Sequence, residues 1–220
     1  MYKRLFIAFC CLSIYSCAPS HFVKPLEKKQ HAANVSLGGP LIKFGTATIP
    51  IPFITATYGY GIDSTLTGFA SVNVTSALYG NVQLELGATK QLLKQKNYWP
   101  AVSFNPVVNF IYHDKNAYKI YPQLDLNAFW EYGKRKNFFY IGVDNWFELS
   151  SKKAFDLKQQ NKWLVSSMIG HTFNGKKWNF NIEAKVIAPH LSNKDIVVDY
   201  QTPLRDKGAF GIYFGYTRKF

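Results

Sequence analysis

The sequence contains histidine, serine and carboxylate side chains that could combine in hydrolysis. Such a set in one cleft supports attack by an activated serine. The candidates fall near predicted strand ends, but their spacing matches no catalytic motif. His113 and Asp114 are adjacent, so they point to opposite faces of a strand. We therefore expect no enzyme, with a rim hydrolase acting on lipid or peptide as an alternative. The candidates are His113, Asp114, Glu148, Ser150, Ser151 and His190.

Cofactor and metal chemistry have little support in the sequence. It contains no Gly-rich phosphate loop, His-rich cluster or nucleotide motif. The three cysteines are Cys10, Cys11 and Cys17, and the first two fall in an N-terminal leader described below. A chain left with one cysteine forms no internal disulfide and no cysteine-ligated metal site. We predict neither a cofactor nor a metal.

A second set of charged side chains lies in the middle of alternating segments, on their polar faces. The set comprises Asp125, Asp144, Glu183 and Lys185. Buried charges are costly unless they pair, so we expect a charge network inside the fold, with Asp144, Glu183 and Lys185 paired at mid-depth. Large aromatic side chains share this face and favour a filled interior over a conducting pore. They are Tyr121, Phe129, Tyr140, Trp146 and Tyr213.

The elements that position these residues are β-strands. From Ala32 onward apolar and polar residues alternate with a period of two, and no helix is indicated. The segment 178–188 is the clearest case, because every second residue from Trp178 is apolar. About ten such segments are indicated, near residues 32–44, 53–62, 65–79, 81–93, 98–113, 117–133, 138–150, 161–174, 178–189 and 208–220.

The connections between these segments alternate in length. Tight turns near residues 63–64, 94–97, 134–137 and 174–177 alternate with other connections, of which 45–52, 151–160 and 190–207 are long. Short turns at one end, longer loops at the other and an even strand number are typical of outer-membrane barrels. We therefore predict an all-β fold, an antiparallel up-and-down transmembrane β-barrel of about 10 strands. Both termini then lie at the end with the tight turns.

Alternation alone does not distinguish a membrane barrel from a soluble one. The segments reach the length of ~10 residues that a strand needs to cross a bilayer. Aromatic residues cluster near the segment ends, as they do at membrane interfaces. The alternative is a soluble, lipid-anchored sandwich or lipocalin-like barrel.

The N-terminus resembles a bacterial lipoprotein signal. Lys3 and Arg4 precede an apolar run over residues 5–16, which is too short for a membrane helix of ~20 residues. The sequence Ile-Tyr-Ser-Cys at 14–17 resembles a lipobox. The resemblance implies removal of residues 1–16 and lipidation of Cys17; an ordinary secretory signal cut elsewhere is the alternative. Residues 17–30 are then a lipidated cysteine with a tether, and residues 31–220 are the barrel domain.

The C-terminus resembles the terminal strand signal of outer-membrane barrels. The chain ends in Phe220, and counting back by twos to Phe210 gives apolar residues except at Arg218. The resemblance implies recognition by the barrel-assembly machinery through Phe214, Tyr216 and Phe220.

The net charge is +13, and +11 without residues 1–16. An exported protein meets little nucleic acid, so we expect anionic lipid and lipopolysaccharide as partners. Basic turns at 94–96, 134–136 and 176–177 could bind phospholipid or an acidic partner, or only aid solubility.

We predict a bacterial outer-membrane location, with the lipid on Cys17 in the periplasmic leaflet. The expected role is that of a structural or accessory subunit of an outer-membrane complex, with a protein partner. A narrow pore or transport protein is the other alternative to the rim hydrolase.

Overall fold

A computed structural model consists almost entirely of β-strands. It describes residues 19–78, 80–113, 117–151, 161–193 and 199–220. Within these ranges there is one short helix, α1 (Val74–Leu78), and no helix long and apolar enough to cross a membrane. The strands are β1 His31–Phe44, β2 Ala47–Pro50, β3 Phe53–Asp63, β4 Leu66–Asn73, β5 Asn81–Leu93, β6 Ala101–His113, β7 Ala117–Tyr132, β8 Asn137–Phe147, β9 Trp163–Asn174, β10 Trp178–Ser192 and β11 Lys207–Lys219.

The sheet closes into a barrel. Strands β3 to β11 each pair with the next along the chain, and β1 pairs with β3 on one side and β11 on the other. β2 pairs only with the end of β1, so ten strands form the wall. All pairings between these strands are antiparallel. The predicted antiparallel barrel of about ten strands is therefore confirmed.

The two ends of the barrel differ. One end, which we call the turn end, carries the connections at 64–65, 94–100, 133–136 and 175–177. The Phe220 amide donates a hydrogen bond of 2.9 Å to the carbonyl oxygen of His31 at this end. The start of β1 and the end of β11 therefore lie together there, as the even strand number predicts. The opposite end is the loop end.

Two connections at the loop end differ from the prediction. The expected loop at 45–52 contains β2, which forms a hairpin with β1 through Gly45 (φ +62°). The expected strand 65–79 ends at Asn73, where α1 begins. The Asn73 side chain accepts a hydrogen bond of 2.9 Å from the Ser76 amide, and such an N-cap favours a helix over a continued strand.

The faces of the wall have the polarity of a membrane-spanning barrel. Outward apolar side chains such as Leu86 (64% exposed) and Leu126 (50% exposed) cover the wall, whereas Glu85, Asp144 and Lys185 are buried inside. A soluble barrel has the reverse arrangement, and an apolar surface of this extent is not stable in water. The soluble alternative does not fit this distribution.

Aromatic clusters lie on the outer face near the turn end. Trp178 stacks on Tyr216 with ring centroids 4.8 Å apart, and the Tyr132 hydroxyl is 2.7 Å from His171 Nε2. Amphipathic rings of this kind are typical of a membrane interface. Phe214, Tyr216 and Phe220 also lie on this outer face, and their role in assembly stays a prediction.

Candidate functional site

The inner wall of the barrel has two unlike halves. Strands β7 to β11 carry large buried side chains, among them Phe129, Tyr140 and Tyr213. Strands β3 to β6 present mainly small polar side chains, together with the larger Phe69, Gln83, Glu85 and Val107. The wall therefore leaves a space beside β3–β6. The buried small side chains along it are Thr55, Thr57, Thr67, Ser71, Thr89 and Ser103.

A segment of the chain that precedes β1 fills this space. We call residues 19–30 the plug; it enters the lumen from the turn end, and Phe22, Val23 and Leu26 are buried. It corrects the prediction of a tether at residues 17–30, because residues 19–26 lie within the barrel, while residues 27–29 are exposed at the turn end. Cys17 itself lies outside the described residues.

Wall hydroxyl groups hold the backbone of the plug. The Leu26 amide donates to Thr67 Oγ1 at 2.7 Å, and Thr89 Oγ1 donates to the carbonyl oxygen of Phe22 at 2.7 Å. Ser103 Oγ donates to the Val23 carbonyl at 2.6 Å. Buried backbone groups need such partners, so the threonines and serine of β4–β6 take the place that a neighbouring strand would otherwise have.

Two glycines of β3 make room for the plug. A Cβ atom at Gly59 would overlap the Phe22 ring, and one at Gly61 would overlap the Glu27 carbonyl oxygen. Gly61 also donates its amide to the Gln30 carbonyl at 2.9 Å. Glycine inside a strand weakens it and often marks a close approach of another backbone. These positions therefore fit a wall shaped to hold this segment.

Ion pairs add to the contacts of the plug. His21 Nε2 is 2.6 Å from Glu85 Oε2, with both side chains buried. Lys24 forms an ion pair with Glu131 near the turn end. Two acids that the sequence places on the inner face thus have their partners in the plug and not on another strand.

The predicted charge network lies at the inner end of the plug. Lys185 Nζ is 2.5 Å from Asp144 Oδ2 and 3.5 Å from Glu183 Oε1. Asp125 is directly opposite Asp144 in the register of β7 and β8. The structure therefore brings all four predicted residues together, with Lys185 as the cation among three acids.

Neutral donors complete this network. Gln123 Nε2 donates to both oxygens of Asp125, at 2.8 and 2.9 Å, and the Tyr140 hydroxyl donates to Glu183 Oε2 at 2.8 Å. The Ser20 amide of the plug lies 3.3 Å from both Glu183 oxygens. The plug is therefore bonded directly to the network.

Two of the candidates for hydrolysis, Glu148 and His190, form contacts with groups other than a catalytic partner. Glu148 Oε2 is 3.8 Å from Lys119 Nζ, and its Oε1 accepts the Ser150 amide at 2.7 Å. His190 Nε2 is 3.2 Å from the Trp163 carbonyl oxygen. These contacts do not pair a serine hydroxyl with a histidine, and the absence of catalysis stays a prediction. His113 and Asp114 are not among the residues whose side chains the structure describes.

No group of three or more His, Cys, Asp or Glu in the described ranges is placed to hold a metal ion.

The plug is the feature that the sequence analysis missed. It has no alternating pattern, and it contains Pro19, Pro25 and several charges, which are typical of a linker. One signal was present in the sequence, because the predicted inner face carries more acids than bases. The six acids are Glu85, Asp125, Glu131, Asp144, Glu148 and Glu183, and the three bases are Lys119, Lys185 and Lys219. That excess calls for partners from outside the strands, and His21 and Lys24 supply them.

No protein-family model and no curated protein sequence matches the chain. Among solved structures, an outer membrane channel from Pseudomonas putida F1 is similar, with a TM-score of 0.51 and 9% identity over 92% of this chain and 100% of that chain. The NanC porin has a TM-score of 0.47 and 8% identity over 84% and 98% of the two chains. OprG from Pseudomonas aeruginosa has a TM-score of 0.36 and 12% identity over 90% and 99%. The first of these matches shows a shared barrel fold.

Proposed function

We propose that this protein is an outer-membrane pore whose lumen is closed by its own N-terminal plug. The observation that carries the proposal is the fit between the plug and the β3–β6 wall. A segment that is not a strand occupies a space lined with small polar side chains. Its displacement would leave a hydrophilic path along that half of the lumen.

The lining of the path supports this function. Thr57, Thr89, Ser103 and Asn105 would face water once the plug is displaced, with Glu85 among them. Such side chains form hydrogen bonds with water as readily as with the plug. The solved structure with which the fold is shared is described as an outer membrane channel.

A structural or accessory role in an outer-membrane complex is the second candidate. Tyr140, Tyr213 and the network around Lys185 fill the other half of the lumen. If the lumen stays closed without the plug, the barrel serves as a scaffold for a protein partner. Measurement of conductance distinguishes the two candidates.

A single substitution is expected to open the pore. Valine at Gly61 would overlap the Glu27 carbonyl of the plug, yet valine is favoured within a strand. Gly61→Val should therefore displace the plug and leave β3 intact. We expect refolded, unlipidated protein to give frequent ionic currents in planar bilayers for Gly61→Val and few for the wild type.

The matched control is Gly68→Val on the neighbouring strand β4. A Cβ there meets only Ile62 Cδ1, at 3.6 Å, so the plug should stay in place and the currents should resemble those of the wild type. Chymotrypsin cleavage after Phe22 reports displacement, since this residue is buried in the seated plug. Deletion of residues 19–26 is the second variant. A displaced or deleted plug without current would overturn the pore proposal and favour the accessory role.

We also propose that the barrel is in the outer membrane and carries a lipid on Cys17. The apolar outer wall supports the first part, and the lipobox resemblance the second. Cys17→Ala should lose a metabolic palmitate label, yet stay in the outer-membrane fraction through an alkaline wash, because the wall alone holds it in the bilayer. The folded band should still shift on boiling before electrophoresis. Release of Cys17→Ala into the soluble fraction would contradict an integral barrel.

The loop end and the last strand of the barrel suggest two further partners. We propose that the loop end faces lipopolysaccharide and that the last strand, through Phe214, Tyr216 and Phe220, is recognised by the barrel-assembly machinery. We propose no catalytic role and no binding of nucleic acid.

A further inference from the structure

A cavity lies at the turn end, between the plug and the strand ends of β8 to β11 and β1. Its volume is about 180 Å³. We call it the vestibule. One side is formed by the plug, with Phe22 and Leu26, and the other by strand and turn residues, with Phe138 and Asn181. The vestibule is separate from the charge network around Lys185, whose residues do not line it.

Cations dominate the vestibule. Lys24, Arg135, Lys136 and Lys219 line it, whereas Glu27 is the acid among its described lining residues. Charges of one sign around a concave site with low-dielectric walls concentrate their field in the cavity. The field here favours an anion.

Several donors of these cations stay available for a ligand. The Lys219 ammonium donates one hydrogen bond of 3.3 Å to the Gly175 carbonyl, and an ammonium has three donors in all. Arg135 adds a planar guanidinium, which matches the oxygens of a phosphate with two parallel bonds. Lys24 is paired with Glu131 and contributes to the field.

The two turns that carry part of this site are tied together. Asn174 Nδ2 donates to the Lys136 carbonyl, and the Asn174 amide donates to Asn137 Oδ1 at 2.8 Å. The β7–β8 turn, with Arg135 and Lys136, is thereby fixed to the β9–β10 connection. Because the backbone that carries these two cations is held in place, less of it has to be ordered when a ligand binds.

We propose that the vestibule binds the phosphate group of a small phosphate ester that enters from the turn end. Several cations suit a group with three acceptor oxygens and up to two negative charges, and the apolar sides of Phe22 and Phe138 suit a small organic portion. The phosphate could belong to a soluble ester or to a phospholipid headgroup. The inference does not depend on the pore proposal, because binding is measured without current.

The test is calorimetric titration of the folded full-length protein in a zwitterionic detergent. One probe is glycerol phosphate, and the other is dihexanoyl phosphatidylglycerol, with the zwitterionic dihexanoyl phosphatidylcholine as the comparison without net charge. The test variant is Arg135→Gln with Lys136→Gln. The control is Lys94→Gln with Lys96→Gln, which removes the same charge from the β5–β6 turn, outside the vestibule.

We expect saturable binding by the wild type and the control, weakened about tenfold or more in the test variant through the loss of charge-assisted bonds. Binding of glycerol phosphate identifies a soluble source. Binding of the phosphatidylglycerol alone, again weakened by the test variant, identifies a headgroup. Equal weakening in the control, or no saturable binding of either probe, would overturn the proposal.

Discussion

Lys185→Met is expected to lower the free energy of unfolding by about 3–5 kcal/mol, the usual cost of removing one partner from a buried ion pair. Lys185 lies between Asp144 and Glu183, and the side chains of all three are at most 4% exposed. Methionine fills a similar volume but leaves the carboxylates without a cation. The expected result is a lower midpoint of guanidinium unfolding in detergent and a lower temperature at which the folded band is lost.

Two further variants separate charge from packing. Lys43→Met removes a cation whose pairing with Asp199 is exposed, at 4.0 Å, and such pairs contribute at most about 1 kcal/mol. Lys185→Met combined with Asp144→Asn removes both charges of the closest pair and should recover part of the loss. A midpoint for Lys185→Met equal to that of Lys43→Met would mean that the network does not stabilise the barrel.

Gly38→Ala is expected to destabilise the seam at which the barrel closes. Gly38 has φ +147°, and a Cβ there would overlap the Ile212 carbonyl oxygen and lie 2.6 Å from Tyr213 Cα. The backbone strain costs about 1–3 kcal/mol and the overpacking costs about 1–3 kcal/mol more. Because β1 and β11 pair from residue 32 to residue 40, this loss falls on the pairing that closes the sheet.

Gly45→Ala is the matched control for Gly38→Ala. Gly45 also has a positive φ, +62°, but nothing lies within 4 Å of a Cβ placed there. Gly45→Ala should therefore lose only the stability that the backbone strain at positive φ costs. The measurement is the folded fraction on unboiled gels after refolding, followed by denaturant titration. Equal losses for the two variants would show that the seam tolerates a side chain at Gly38.

The barrel could be predicted from the sequence because each strand of its wall has one face in the polar lumen and the other on the apolar outer side. The period of two assigned Asp125, Asp144 and Glu183 to one face, and turn positions fixed which strands are neighbours. The predicted segment 178–189 corresponds to β10, Trp178–Ser192. The closed barrel was predicted because alternating connection lengths and an even strand number are typical of outer-membrane barrels.

The position of the plug could not be predicted from the sequence, for a physical reason. Its bonds join residues far apart in the chain, from Leu26 with Thr67 to Ser20 with Glu183, and they involve backbone groups that every residue has. No local pattern encodes them. The helix α1 was different, because the Asn73 cap that begins it is visible in the sequence and was read as a continued strand.

The depth of Ser20 has a consequence for the proposed lipid. Its partner Glu183 lies five residues beyond Trp178, where β10 begins, or about 17 Å along the strand and about 13 Å along the axis at a tilt of about 40°. Cys17 lies three positions before Ser20, and these three steps of the backbone span at most about 11 Å. While Ser20 is bonded to Glu183, a lipid on Cys17 would therefore reach the turn-end leaflet only through its own glyceryl linker and acyl chain. The proposed lipid and the seated plug would then share one short stretch of chain, so that lipidation sets how far the plug can move.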